Sequence, residues 1–159
     1  MGHTVNINKQ HTAMTVTLTA NYKETLQAET VELIEELQER EHDLGSMLEF
    51  IDENSEDDFV TYYEEYVEQG EKVGYDVVDA FVRENGFCDV EHCEEAFVGV
   101  YADGAEFAEE FVSENFHGGD ILECVVIDWD LTWERSLAYD YDFVEGEGYR
   151  TGFVFRRYY

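Results

Sequence analysis

Tyr141–Arg156 reads Y-D-F-V-E-G-E-G-Y-R-T-G-F-V-F-R. Two runs of aromatic and β-branched residues, Tyr141–Glu145 and Tyr149–Arg156, flank Gly146-Glu147-Gly148. Strand formers on either side of a glycine turn predict a β-hairpin. Just upstream, Asp128 is a capping residue for a short helix to about Ala138. Before it, Ile121–Ile127 is apolar and reads as extended, and Gly118-Gly119 reads as a linker. Further back the pattern turns helical. Asp103 opens a helix to about Asn115, with Phe107, Ala108, Phe111 and Val112 inward. A short helix follows Asp89. Another runs from Gly74 to Asn85, with Val77, Val78, Phe81 and Val82 inward and Gly86 as its stop. Asp57 or Asp58 caps a helix to about Gln69 that Gly70 ends, and a longer one spans about Thr25–Leu44 up to Gly45. Met47–Ile51 is apolar and of undecided type. Met14–Leu18 alternates as a strand does, and residues 1–12 read as a loose arm or an edge strand.

A strand, then helices, then a hairpin make an α+β fold. The expectation is an elongated molecule of small subdomains: a strand–helix region over 1–45, an acidic helical part over 46–100, and an α+β part over 101–159. With 44% apolar and 15% aromatic residues the chain can bury a core, unlike a disordered acidic tail.

Charge is the strongest signal. Asp and Glu number 39 against 9 Lys and Arg, a net charge of −30. Solubility needs a magnitude of only about 2–8, and self-repulsion opposes compaction. No Lys or Arg interrupts Glu41–Glu71, and none interrupts Glu84–Glu134. Duplex DNA carries one charge per ~1.7 Å, so thirty charges equal roughly 50 Å of duplex, about 15 base pairs. Helical neighbours three and four apart stand ~5–6 Å from each other, a phosphate-like pitch. The acids so placed are Asp57, Asp58, Glu64, Glu65 and Glu68; Glu91, Glu94 and Glu95; and Glu106, Glu109, Glu110 and Glu114. They are the expected phosphate-mimicking contacts with a basic groove on another protein. Taken singly, each is ordinary solvated surface.

Other chemistries fit poorly. Cys88-x4-Cys93 with His92 lacks a zinc-ligand spacing and a second pair; Cys88, Cys93 and Cys124 read as idle reduced thiols. Asp52–Asp58 lacks the glycine and the glutamate of a calcium loop. Pairs such as Asp128 and Asp130, or Asp140 and Asp142, arise by chance in so acidic a chain. P-loop, G-x-S-x-G and H-E-x-x-H patterns are absent. No cofactor, catalytic residue or metal site is expected, so the reading is not an enzyme. Direct nucleic-acid binding is disfavoured without basic patches. No stretch of ~18 apolar residues spans a membrane, and no signal-peptide pattern opens the chain, which points to a bacterial host's cytoplasm. Trp129, Trp133, Tyr139 and Tyr141 are expected to pack a core or a dimer interface. The chain has no proline, for which we have no physical account.

Ala96–Phe111, A-F-V-G-V-Y-A-D-G-A-E-F-A-E-E-F, resembles a block of the ArdA antirestriction proteins: an aromatic, a glycine, a second aromatic, then D/E-F-A-E-E. Ile127-Asp128-Trp129 resembles their I-D-Y/W motif, with Arg135 standing for the arginine that follows, one residue further on. Tyr139–Arg156, ending Val154-Phe155-Arg156, resembles their closing strands, and Asp57–Gly86 their acidic helix followed by A-F-x-x-x-x-G. The resemblance covers about residues 46–159; residues 1–45 depart from the family's usual N-terminal domain. It implies an elongated homodimer imitating bent B-form DNA, carried by a phage or mobile element. Its target would be the DNA-recognition and methyltransferase core of type I restriction–modification enzymes. Alternatives are a DNA mimic against another host machine (RNA polymerase, a CRISPR nuclease, a nucleoid protein), a salt-adapted acidic protein without mimicry (only three residues are Lys), and last a small metal-assisted enzyme.

Overall fold

The structure, a computed structural model, describes residues 25–116 and 126–159. The expected strand Met14–Leu18, the arm at 1–12, the linker Gly118-Gly119, Cys124 and the extended run as far as residue 125 lie outside them. The chain is α+β: helices precede and flank a three-stranded antiparallel sheet. It clusters into two compact units, Met1–Glu65 and Tyr66–Tyr159.

In the first unit, α1 (Ala28–Glu39), α2 (Leu44–Glu53) and the start of α3 (Glu56–Val73) bury Ile34, Leu37, Met47, Leu48, Ile51, Phe59 and Tyr62. One helix was expected over Thr25–Leu44 with Gly45 as its stop; it ends earlier, without glycine. Glu41 takes a left-handed φ of 66°. The Glu41 and His42 N–H groups donate to the Gln38 and Leu37 carbonyls, both at 3.0 Å, which closes a Schellman motif. Gly45 instead sits in the first turn of α2, whose cap is Asp43, accepting from the Ser46 N–H at 2.8 Å. Met47–Ile51 is therefore helix. The cap of α3 is Ser55, not Asp57 or Asp58: its Oγ accepts from the Asp58 N–H at 3.1 Å and donates to the Asp58 carboxylate at 2.6 Å. Nor does Gly70 end α3, which continues to Val73 and Gly74 (φ 97°). Gly70 makes room for the Tyr75 ring, which a Cβ would overlap.

The second unit holds the end of α3, α4 (Tyr75–Asn85), a 3-10 turn (Phe87–His92), α5 (Cys93–Ala96), β1 (Phe97–Tyr101), α6 (Gly104–Asn115), α7 (Trp129–Arg135), a second 3-10 turn (Leu137–Tyr139), β2 (Tyr141–Glu145) and β3 (Gly152–Arg156). The hairpin is as expected, with β3 starting at Gly152 rather than Tyr149. Sequence reading missed β1. It pairs antiparallel with β3, giving the order β1-β3-β2, with a bulge between Phe97 and Gly99. β3 is thus central and Gly152–Phe155 are buried, which explains its continuous apolar run. β1 runs across residue 100 and pairs with the C-terminal hairpin.

Each face of the sheet carries helices. Phe81 of α4 meets Phe155 edge-on at 5.4 Å. On the opposite face Val154 packs with Phe107, Ala108 and Leu137, surrounded by Tyr101, Phe111, Trp129, Trp133, Tyr141 and Phe143. Three of the four aromatics expected in a core or interface, Trp129, Trp133 and Tyr141, lie here; Tyr139 is 70% exposed. Gly104 lets Trp133 close onto the start of α6, since a Cβ there would overlap the indole.

Candidate functional site: the exposed carboxylates

Helix α6 presents an exposed acidic face. Its inner side, Phe107 and Ala108, is buried in the aromatic cluster, which fixes the rotation of the helix and leaves Glu106, Glu109, Glu110 and Glu114 exposed. At 1.5 Å rise per residue, Glu106, Glu110 and Glu114 follow one another at ~6 Å along the axis. Asp103 caps the helix by accepting from the Glu106 N–H at 2.9 Å, and the Glu106 carboxylate accepts from the Ala102 N–H at 2.5 Å. Tyr101 Oη donates to Glu110 Oε1 at 3.1 Å. Burial, then the Glu110 hydrogen bond and the charges of Glu110, Glu114 and Glu106, push the Tyr101 hydroxyl up to about 12. It therefore stays a donor that orients Glu110. Among the described residues no cation lies within ion-pair distance of these four glutamates.

A second patch gathers Glu68, Glu91, Glu94 and Glu95, and it is partly neutralised. Lys72 Nζ reaches Glu68 at 2.8 Å and Glu94 at 3.1 Å. Hydrogen bonds to Glu68 and Glu94 raise the Lys72 pKa above its ordinary value. His92 lies 3.4 Å from Glu91 and 3.9 Å from Glu95, a neutralising contact only when the imidazole is protonated. Beneath them Gln69, 3% exposed, donates to the Glu91 carbonyl at 3.1 Å and accepts from the Glu94 N–H at 2.8 Å. One buried amide thus pins the backbone that carries these acids. Sequence reading missed both Gln69 and Lys72. Glu68–Lys72 at i,i+4 was a readable signal; Gln69 gave none.

The remaining acids, all on α3, form no single cluster. Asp57 and Asp58 are exposed in its first turn, where carboxylates suit the helix dipole. Glu64 is exposed about two turns further on, and Glu65 is half-buried. Eleven of the twelve expected contacts are therefore exposed. Glu56 points inward instead, accepting from Thr30 Oγ1 at 2.6 Å and the Gln27 N–H at 2.9 Å. An acidic row outside the twelve, Glu29, Glu32, Glu36 and Glu39, is exposed along α1.

Among the described residues no group of three or more His, Cys, Asp or Glu side chains is arranged to hold a metal ion. Cys93 is buried, and burial pushes its thiol up to about 12, away from the thiolate that zinc requires. Cys88 is exposed. No helix among the described residues is long and apolar enough to cross a membrane. No protein-family model, curated protein or solved structure matches the chain.

Proposed function

We propose that this protein is a DNA mimic that inhibits a DNA-processing enzyme by occupying its DNA-binding channel. The best-fitting target is a type I restriction–modification complex in the cytoplasm of a bacterial host. The carrying observation is the outer face of α6: four exposed glutamates at a phosphate-like step, uncompensated by any described cation, on a helix locked by an aromatic core. A groove built for DNA is cationic, and much of its affinity ignores base sequence. Carboxylates already in place engage it with little ordering cost at binding. The choice of target rests on the ArdA-like motifs. Ala96–Phe111 spans β1, the cap at Asp103 and the first two turns of α6, which carry Glu106, Glu109 and Glu110.

The test is equilibrium competition. A type I methyltransferase complex bound to fluorescent duplex is titrated with the protein at several salt concentrations. The reading expects full displacement, with affinity falling as salt rises. Simultaneous binding of duplex and protein in a ternary complex would refute it. A merely salt-adapted protein would displace nothing.

A further inference from the structure

We propose that Tyr149 and Arg150, at the tip of the C-terminal hairpin, recognise the target protein itself and are no part of the imitated duplex. They dock on an acidic side chain beside an apolar pocket at the rim of the DNA-binding channel. The inference rests on the function proposed above and adds what selects the partner.

The hairpin holds these two side chains out. The Gly146 N–H donates to the Thr151 carbonyl at 2.9 Å, closing the loop Glu147-Gly148-Tyr149-Arg150. Gly146 lies against the ring of buried Phe153, which a Cβ would crowd, so the loop is anchored on the core. Tyr149 is 92% exposed. No ring contact or side-chain hydrogen bond holds it among the described residues. Arg150 is exposed and takes a left-handed φ of 54°. Loops of this kind often need one left-handed residue, a conformation that glycine and asparagine adopt most easily. Gly148, at φ 110°, shows glycine used two residues earlier. Folding thus favours glycine at 150 and asks for no ring at 149.

The tip stands beside the acidic face. Arg150 Nη2 lies 4.0 Å from Asp103 Oδ2, beyond hydrogen-bond length, and Asp103 Oδ1 caps α6. Charge then identifies what Arg150 meets. A purely cationic groove would repel it, whereas a carboxylate matches its fork of donors. Phosphates repel carboxylates, so an acid on the target belongs at the rim, off the path of the duplex. Tyr149 offers a flat apolar ring with one polar tip, suited to a pocket, and tyrosine and arginine dominate binding hot spots. Carboxylates alone fit any cationic groove. A contact that duplex cannot make gives the discrimination they lack.

Duplex displacement from the type I methyltransferase complex tests this with wild type, Y149A and R150G, alongside binding of each to poly-L-lysine. R150G keeps a residue at ease in the left-handed conformation and makes the chain more acidic. As a bystander change it would displace duplex at least as well as wild type. The expected result is the opposite: each variant loses at least ~10-fold against the complex. Poly-L-lysine binding should stay unchanged for Y149A and be no weaker for R150G, and neither variant should unfold at lower urea than wild type. A wild type that fails to displace duplex defeats the function proposed above and this inference with it. A wild type that displaces duplex, matched by both variants, overturns this inference alone. So does a parallel loss of poly-L-lysine binding, which would make the effect one of general charge.

Discussion

Replacing Glu106, Glu109, Glu110 and Glu114 together by Gln should strengthen the fold while weakening binding to the target. Within the set, Glu106–Glu109, Glu106–Glu110 and Glu110–Glu114 are like-charge neighbours three or four apart. Each costs about 0.2–0.5 kcal/mol in a helix, so their removal should add roughly 1 kcal/mol to stability. Glutamine keeps an amide oxygen to accept from the Ala102 N–H and from Tyr101 Oη, so the cap and the Tyr101 contact survive. Binding moves the other way. Exposed ion pairs are worth about 0.2–1 kcal/mol each. Four of them sum to about 1–4 kcal/mol, or ~5-fold to several hundred-fold in Kd. Each single Glu→Gln change should cost less than about fivefold. Urea unfolding and duplex-displacement titration on the same preparation read the two quantities. The opposed signs are the diagnostic: a variant that gains stability and displaces duplex as well as wild type shows that this face does not meet the groove.

Three further outcomes follow from the packing. Gln69→Ala leaves the Glu94 N–H and the Glu91 carbonyl without their partner, and should cost about 1–3 kcal/mol by urea denaturation. Glu41→Gly relieves a left-handed φ of 66° and should raise stability by roughly 0.5–1 kcal/mol, the left-handed penalty less the extra unfolded-state entropy of glycine; thermal unfolding measures it. Cys93 has a folded pKa raised from 9.0 to about 12 by burial. The native state keeps its proton when the unfolded chain loses it. This contribution is complete below pH 9 and is lost as pH rises toward about 12; Cys93→Ala should flatten that slope in pH-dependent denaturation.

The helices of the second unit were legible because their boundaries carry local chemistry. Asp103 and Asp128 cap α6 and α7 by accepting the Glu106 and Leu131 N–H groups, and Gly86 ends α4 at a φ of 90°. Both glycine errors have one cause: Gly45 and Gly70 read as stops, yet neither occupies a left-handed position. The real stop, Glu41, is a residue whose left-handed conformation no local rule announces. β1 was missed because Phe97–Tyr101 is short, contains Gly99 and follows a helical turn directly; its strand state is set by β3, more than fifty residues later. Outward placement of the acids was legible because it follows from the inward aromatics of the same helices. Their partial neutralisation by Lys72 was not, since its contact with Glu94 depends on how α5 packs against α3.

Folding itself neither demands nor forbids so acidic a surface. The three repulsive pairs on α6 cost together about 1 kcal/mol, while burying one phenylalanine such as Phe107 is worth about 1.5–3 kcal/mol. An aromatic core therefore carries the helix whether its outer face is acidic or mixed. Salt adaptation would spread the charge evenly, because every part of the surface meets the same solvent. This chain separates it instead: no Lys or Arg occurs from Glu84 to Glu134, whereas Arg135, Arg150, Arg156 and Arg157 supply four of the nine cations in its last quarter. Arg157 pairs with Asp142 at 2.8 Å and Arg150 lies 4.0 Å from Asp103, the cap of α6, while among the described residues no cation reaches Glu106, Glu109, Glu110 or Glu114. Counter-charge placed near the hairpin and not on the outer face of α6 is what the proposed mimicry asks of that face, and an even spread of charge is what salt adaptation alone would ask.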